Sequence, residues 1–114
     1  METRIFVTLR MIVRPEKRSD FLETMRGMLE PARVERGCLS YRFYEDIEEG
    51  NAFVLVEEWK TQQDLERHIR TDNQRQLLAL MDLLSEQPEL RFNTVSSTAG
   101  MDLIEDVLKT DKPR

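Results

Sequence analysis

The chain carries a single cysteine, Cys38, so no disulfide can close within it and no zinc-ligand set of thiolates exists. No apolar run approaches the roughly 20 residues that a bilayer span needs. Basic residues are outnumbered, 17 Lys and Arg against 22 Asp and Glu, and they form no block. The formal charge of −5 therefore argues against nucleic acid or anionic membrane as a partner, since both demand a basic face. The opening Met1-Glu2-Thr3-Arg4 lacks the basic and apolar regions of a signal peptide. Together these absences lead to the expectation of a cytoplasmic protein.

What remains is ordinary globular material: 39% hydrophobic and 34% charged residues in a 114-residue chain, enough for one core. Ile5, Val7, Leu9, Met11 and Val13 alternate onto one face of a first strand that Arg14-Pro15 ends. The period then turns helical, with Phe21, Met25, Met28, Leu29 and Ala32 on one stripe, Pro31 loosening the last turn and Gly37 closing it. Residues 38–45 form a second strand, with Leu39, Tyr41 and Phe43 on one side. An acidic connection holding Gly50-Asn51 leads to a third strand over 52–59 that is apolar on both faces. Thr61 and Thr71 each read as a helix cap, splitting the next helical region in two, and residues 90–95 form a fourth strand.

The order β-α-β-β-α-β predicts an α+β ferredoxin-like split βαβ fold, one antiparallel sheet with helices on one face. The uncovered face would carry Phe6, Ile12, Tyr44, Val54 and Val56, too apolar for a small monomer to expose. Two copies packed sheet to sheet, as a dimeric α/β barrel, would bury it. Arg10 and Arg42 lie on this face and are expected to pair with acids across the barrel. Residues 1–98 are expected to form the domain. Residues 99–114 are expected to form a helical tail, with Met101, Ile104, Val107 and Leu108 at helical spacing, possibly crossing to the partner subunit.

Three pieces in this order resemble the antibiotic biosynthesis monooxygenase family: Gly37-Cys38-Leu39-Ser40-Tyr41, Phe53-Val54-Leu55-Val56-Glu57-Glu58-Trp59, and His68 nine residues beyond Trp59. The resemblance covers roughly residues 4–96. It implies a small dimeric ferredoxin-like protein, in a family that includes cofactor-independent oxygenases of quinols and polyketide aromatics, haem-degrading enzymes and an isomerase. Many members carry a second histidine followed by an aromatic, where this chain has Asn73 and Gln74. The haem-degrading branch needs an asparagine and an axial histidine at about the places of Leu9 and Leu78, so the resemblance does not extend to haem degradation.

His68 is the only histidine, the residue type whose unperturbed pKa lies near neutral, and the resemblance makes it a general base toward a hydroxyarene. The alternative is a structural histidine bonded to Glu57 or a backbone carbonyl. Glu57 could orient His68 and Trp59 could wall an aromatic substrate, or both could belong to the core with Glu57 satisfied by helix-end amides or an arginine. Tyr41, Phe43 and Met25 are further candidates for substrate contact, and core packing explains them equally well. Cys38 reads as a small packing residue. The expected activity is a monooxygenase without metal, flavin or other cofactor, acting on a small aromatic or quinol-like molecule between helices and sheet. A non-catalytic ligand-binding dimer and an isomerase of a small carbonyl or hydroxyl metabolite stay open beside it.

Overall fold

The computed structural model describes residues 3–110. Met1 and Glu2, at the head of the expected domain, and residues 111–114, at the end of the expected tail, lie outside the described residues. The strands are β1 (Arg4–Ile12), β2 (Cys38–Glu45), β3 (Ala52–Trp59) and β4 (Glu89–Val95). The helices are α1 (Arg18–Arg33), α2 (Gln62–Ile69), α3 (Asp72–Ala79) and α4 (Met101–Lys109), with short 3-10 turns at Pro15–Lys17 and Leu80–Leu83. The sheet runs β2-β3-β1-β4, every neighbour antiparallel. This is the α+β ferredoxin-like split βαβ arrangement.

Alternation in β1 and β3 places Ile5, Val7, Leu9, Met11, Phe53, Leu55 and Trp59 on one face. They form one core with Phe21, Met25, Met28 and Ala32 of α1 and Leu65 and Leu77 of α2 and α3. Pro31 sits within α1, which runs on to Arg33. Thr61 and Thr71 cap α2 and α3 through their hydroxyls, accepting from the Asp64 and Gln74 amides. The break between the two helices falls where the second cap predicts it.

Two expectations need correction. Leu39 does not share a face with Tyr41 and Phe43. Cys38 pairs with Trp59 and Ser40 with Glu58, so Leu39 is the extra residue of a bulge and is 48% exposed. Cys38 packs against the core instead. Arg10 finds its acids within its own chain, Asp46 at 3.4 Å and Glu49 at 2.8 Å in the β2–β3 connection.

Gly37 has a φ of +83°, and a Cβ there would fall on the Asp64 carboxylate. Only glycine therefore lets the chain turn from α1 into β2 under the start of α2. Asp64 is held below the usual carboxylate range by Arg67 and Thr61. Beyond β4 the tail is helical, as its spacing predicts, and every residue of α4 is exposed. The radius of gyration is 17.2 Å, against about 13 Å for a compact chain of this length, so the tail stands clear of the body. No helix among the described residues is long and apolar enough to cross a membrane.

Candidate functional site

Residues two apart on a strand share a face, and this brings Glu57 and Trp59 side by side beneath α2. The Trp59 indole Nε1–H donates to Glu57 Oε1 at 2.8 Å, the buried acid's hydrogen-bond partner. His68 descends from α2 and stacks on the indole, with centroids 4.6 Å apart and 29° between planes. Tyr41, opposite Glu57 in the β2–β3 register, meets the imidazole edge-on at 5.7 Å.

The partner of His68 is Glu35, in the connection between α1 and β2. Its carboxylate oxygens lie 3.0 and 3.1 Å from Nδ1. With a carboxylate accepting, Nδ1 carries the ring proton and Nε2 is left as an acceptor. Nε2 is buried and has no hydrogen-bond partner among the described residues. Glu57 Oε1 is the carboxylate oxygen facing it, at 3.8 Å, beyond hydrogen-bonding distance. The imidazole is 1% exposed, whereas the Glu35 side chain is 21% exposed and reaches solvent.

Burial pushes the Glu57 carboxyl above its ordinary range; the Trp59 bond and His68 pull the other way, and Glu35 adds to the rise. The Tyr41 hydroxyl is buried without a partner among the described residues and is pushed well up by burial, with Glu57 and Glu35 adding to it. Burial, with help from Glu35 and Glu57, raises the Cys38 thiol to about 11, so it is no nucleophile.

His68 and Glu57 form the polar end of a cleft of about 120 Å³ between the sheet and α2–α3. Its walls are apolar, chiefly Val7, Leu9, Leu77, Met81, Leu90 and Phe92. The space is similar to the roughly 150 Å³ in which an apolar cavity takes up a single benzene ring. A larger hollow of about 380 Å³ runs along β2 between Arg33 and Arg42, and neither His68 nor Glu57 reaches it. The smaller cleft is therefore the candidate site.

Of the expected site residues, the structure brings His68, Glu57, Trp59 and Tyr41 together. Only His68 and Glu57 line the cleft; Trp59 and Tyr41 back the imidazole from within the core. Phe43 stacks on Phe53 at 5.3 Å beside Phe21, and Met25 is fully buried under α1, so neither lines the cleft. Sequence reasoning missed Glu35, whose signal was an acid two residues before the obligatory Gly37. It also missed the apolar wall from β4. Asn73, at the place of the family's second histidine, donates to the Met28 carbonyl at 3.1 Å and ties α3 to α1, while Gln74 lines the cleft. Among the described residues, no three His, Cys, Asp or Glu side chains cluster to hold a metal ion.

Comparison with known proteins adds the family. The model of the antibiotic biosynthesis monooxygenase family matches residues 4–80. "Uncharacterized protein sll1783" of Synechocystis sp. is 33% identical over 87 residues, 75% of this chain and 59% of that one. "Putative monooxygenase YcnE" of Bacillus subtilis is 36% identical over 59 residues, 52% of this chain and 62% of the relative. The chain thus matches less than two thirds of the length of these curated relatives. The structure of Rv0793 from Mycobacterium tuberculosis superposes with a TM-score of 0.77 at 26% identity, over 85% of this chain and 99% of that one. With two thirds of its length matched by the family model, and its fold shared with that structure, this chain belongs to the antibiotic biosynthesis monooxygenase family.

Proposed function

We propose that the chain is a monooxygenase of a small hydroxyarene or quinol, with His68 as the general base and no cofactor in the chemistry. The observation that carries this reading is the asymmetry of one imidazole: Nδ1 is held by Glu35, while Nε2 is buried, has no partner among the described residues and belongs to a side chain lining an apolar cleft. A base needs that arrangement, with one nitrogen fixing the tautomer and the other free to accept a proton.

The step balances on substrate and dioxygen alone. Nε2 takes the hydroxyl proton, and the electron-rich ring carbon of the arenolate forms a bond to dioxygen. The hydrogen on that carbon then leaves as a proton while the O–O bond breaks, leaving one oxygen on carbon as a quinone carbonyl and releasing the other as water with that proton and the one held at Nε2. All four electrons come from the ring. Glu57 lies beside Nε2, and burial raises its carboxyl above the ordinary range, which disfavours a second negative charge next to the arenolate. Trp59 and Tyr41 hold the imidazole plane, and Glu35 is a positioning residue.

The same reading has the protein work as a homodimer in the cytoplasm. Phe6, Ile12, Val54 and Val56 are only half-buried on the open sheet face and Tyr44 is 52% exposed there. A second copy of residues 1–98, packed sheet to sheet, would cover them. Oxygen uptake on a panel of one-ring phenols and hydroquinones, with naphthols as the upper size, tests the activity. Consumption of one dioxygen per quinone formed, lost in His68→Ala, supports it. Tight binding without product would make the chain a ligand-binding member of the family, and conversion at unchanged mass without oxygen would make it an isomerase.

A further inference from the structure

Besides the open sheet face, two apolar surfaces of this chain are left uncovered. One is α4: at 100° per residue, Met101, Leu103, Ile104, Val107 and Leu108 fall on one side, and Asp102, Glu105, Asp106 and Lys109 on the other. All five apolar residues are 52–73% exposed. The other surface is the mouth of the cleft, ringed by Ile69 of α2, Leu78 of α3, and Leu90 and Phe92 of β4, each 43–61% exposed. A site that ionises a hydroxyarene works best with water excluded, and this mouth stands open.

The helix is held away from the cleft of its own subunit. Arg4 Nη2 donates to Thr98 Oγ1 at 3.3 Å. Thr98 lies beside Phe6, Glu58 and Val95, in a hollow on the open side of the sheet. The chain therefore leaves β4 toward the face where a second copy would sit, with its own cleft behind the sheet. Residues 96–100 can span up to about 17 Å, more than the roughly 10 Å between two packed sheets. β4 is one of the two edge strands and its Leu90 and Phe92 line the cleft, so a helix passing a partner's sheet at its β4 edge meets the cleft mouth directly. At the rim, Arg70 and Arg75 stand beside Ile69 and Gln74 and are each already paired within the chain, with Glu66 and Asp72, so the apolar surfaces and not charge would carry the docking. The family match ends at residue 80, so α4 lies beyond the part of the chain that it covers.

We propose that α4 docks across the cleft mouth of a second copy of this chain, its apolar side on Ile69, Leu78, Leu90 and Phe92, so that each site is closed by its partner. This rests on the readings of the cleft as the ligand site and of the open sheet face as the dimer seam, but not on the reaction assigned to the cleft.

The test uses the full-length chain with Cys38→Ala. Two differently tagged versions, one with Val107→Cys and one with Leu78→Cys, are mixed and oxidised, and a chain carrying both substitutions is oxidised alone at high dilution. Separately, Ile104→Asp with Val107→Asp, on residues exposed in the isolated chain, is followed by sedimentation equilibrium and by fluorescence of anilinonaphthalene sulfonate. The expected result is a disulfide between differently tagged chains, a dimer dissociation constant raised at least tenfold, and dye binding raised several-fold. A disulfide formed only within one chain would overturn the proposal in favour of a lid in cis. A weakened dimer with unchanged dye binding and no Val107–Leu78 disulfide would overturn it in favour of docking elsewhere on the partner. Neither readout needs turnover, so failure here leaves the role of His68 standing, and loss of the oxygenase reading leaves the disulfide.

Discussion

Glu35→Ala should move the ring proton of His68 from Nδ1 to Nε2. In the parent, the Glu35 carboxylate oxygens lie 3.0 and 3.1 Å from Nδ1, where they favour a proton on that nitrogen, and Nε2 has no partner among the described residues. A hydrogen bond to a charged group contributes about 1.5–3 kcal/mol net. At about 1.4 kcal/mol per tenfold, removing it shifts the tautomer ratio roughly 10- to 150-fold toward Nε2–H, the form that cannot act as a base. Glu35→Gln keeps an amide oxygen as acceptor and should recover roughly half of that free energy. Because His68 is the only histidine, long-range nitrogen–proton correlation of the ring gives one set of signals with nothing to assign. The parent should show the Nδ1–H tautomer and Glu35→Ala a mixture or the reverse, and kcat should fall only as far as the Nδ1–H fraction does, about two-fold for an even mixture and further if the ratio reverses, with KM little changed. A parent ring protonated at Nε2 would refute the reasoning outright. So would a tautomer shift in Glu35→Ala that leaves kcat untouched.

Three further substitutions probe the surroundings. Glu57 is raised in the folded state, so its contribution to stability is full below the ordinary carboxylate range near 4.3 and is lost as pH rises through the folded value. Glu57→Gln keeps the Trp59 acceptor without the charge and should be more stable than the parent at pH 8, with no gain near pH 4. Thermal unfolding across that range checks it, and a less stable variant at pH 8 would count against the buried-acid account. Gly37→Ala combines a positive φ with a Cβ on Asp64 and should cost roughly 2–4 kcal/mol in urea titrations; under 1 kcal/mol would mean that α2 yields freely there. Trp59→Phe leaves buried Glu57 without its donor and should cost at least about 1 kcal/mol more in the parent than in a Glu57→Met background. Equal costs in the two backgrounds would show that the 2.8 Å bond contributes nothing.

Local signals made most of the fold legible. The alternation in β2 and β3 ends where the strands end, and Thr61 and Thr71 mark the helix starts because a cap is a relation between residues three apart. Leu39 escaped because a bulge shifts a strand by one residue, and only the pairing with Trp59 and Glu58 reveals which residue is extra. The site was half legible. Glu57, Trp59 and His68 stand close in sequence and meet in space, and spacing two on a strand could have suggested the Trp59–Glu57 bond. Glu35 lies 33 residues from His68, in a turn with no periodicity to read, so only the folded connection brings it there. The cleft wall from β4 was hidden for a similar reason: Leu90 and Phe92 reach it only because β4 pairs with β1 opposite Leu9 and Val7. Tyr41, Phe43 and Met25 show the limit of composition, since an aromatic or a methionine facing inward reads alike whether it meets a ligand or a neighbouring side chain.

The central claim is that His68 deprotonates a substrate that then takes its oxygen from dioxygen, and turnover under ¹⁸O₂ tests it most directly. A hydroxyarene from the panel should yield a quinone carrying one ¹⁸O atom, with the second appearing in water, and His68→Ala should abolish the product without lowering the thermal midpoint of the fold enough to explain it. Product that forms equally well in His68→Ala, or that draws its new oxygen from water and not from dioxygen, would contradict the account.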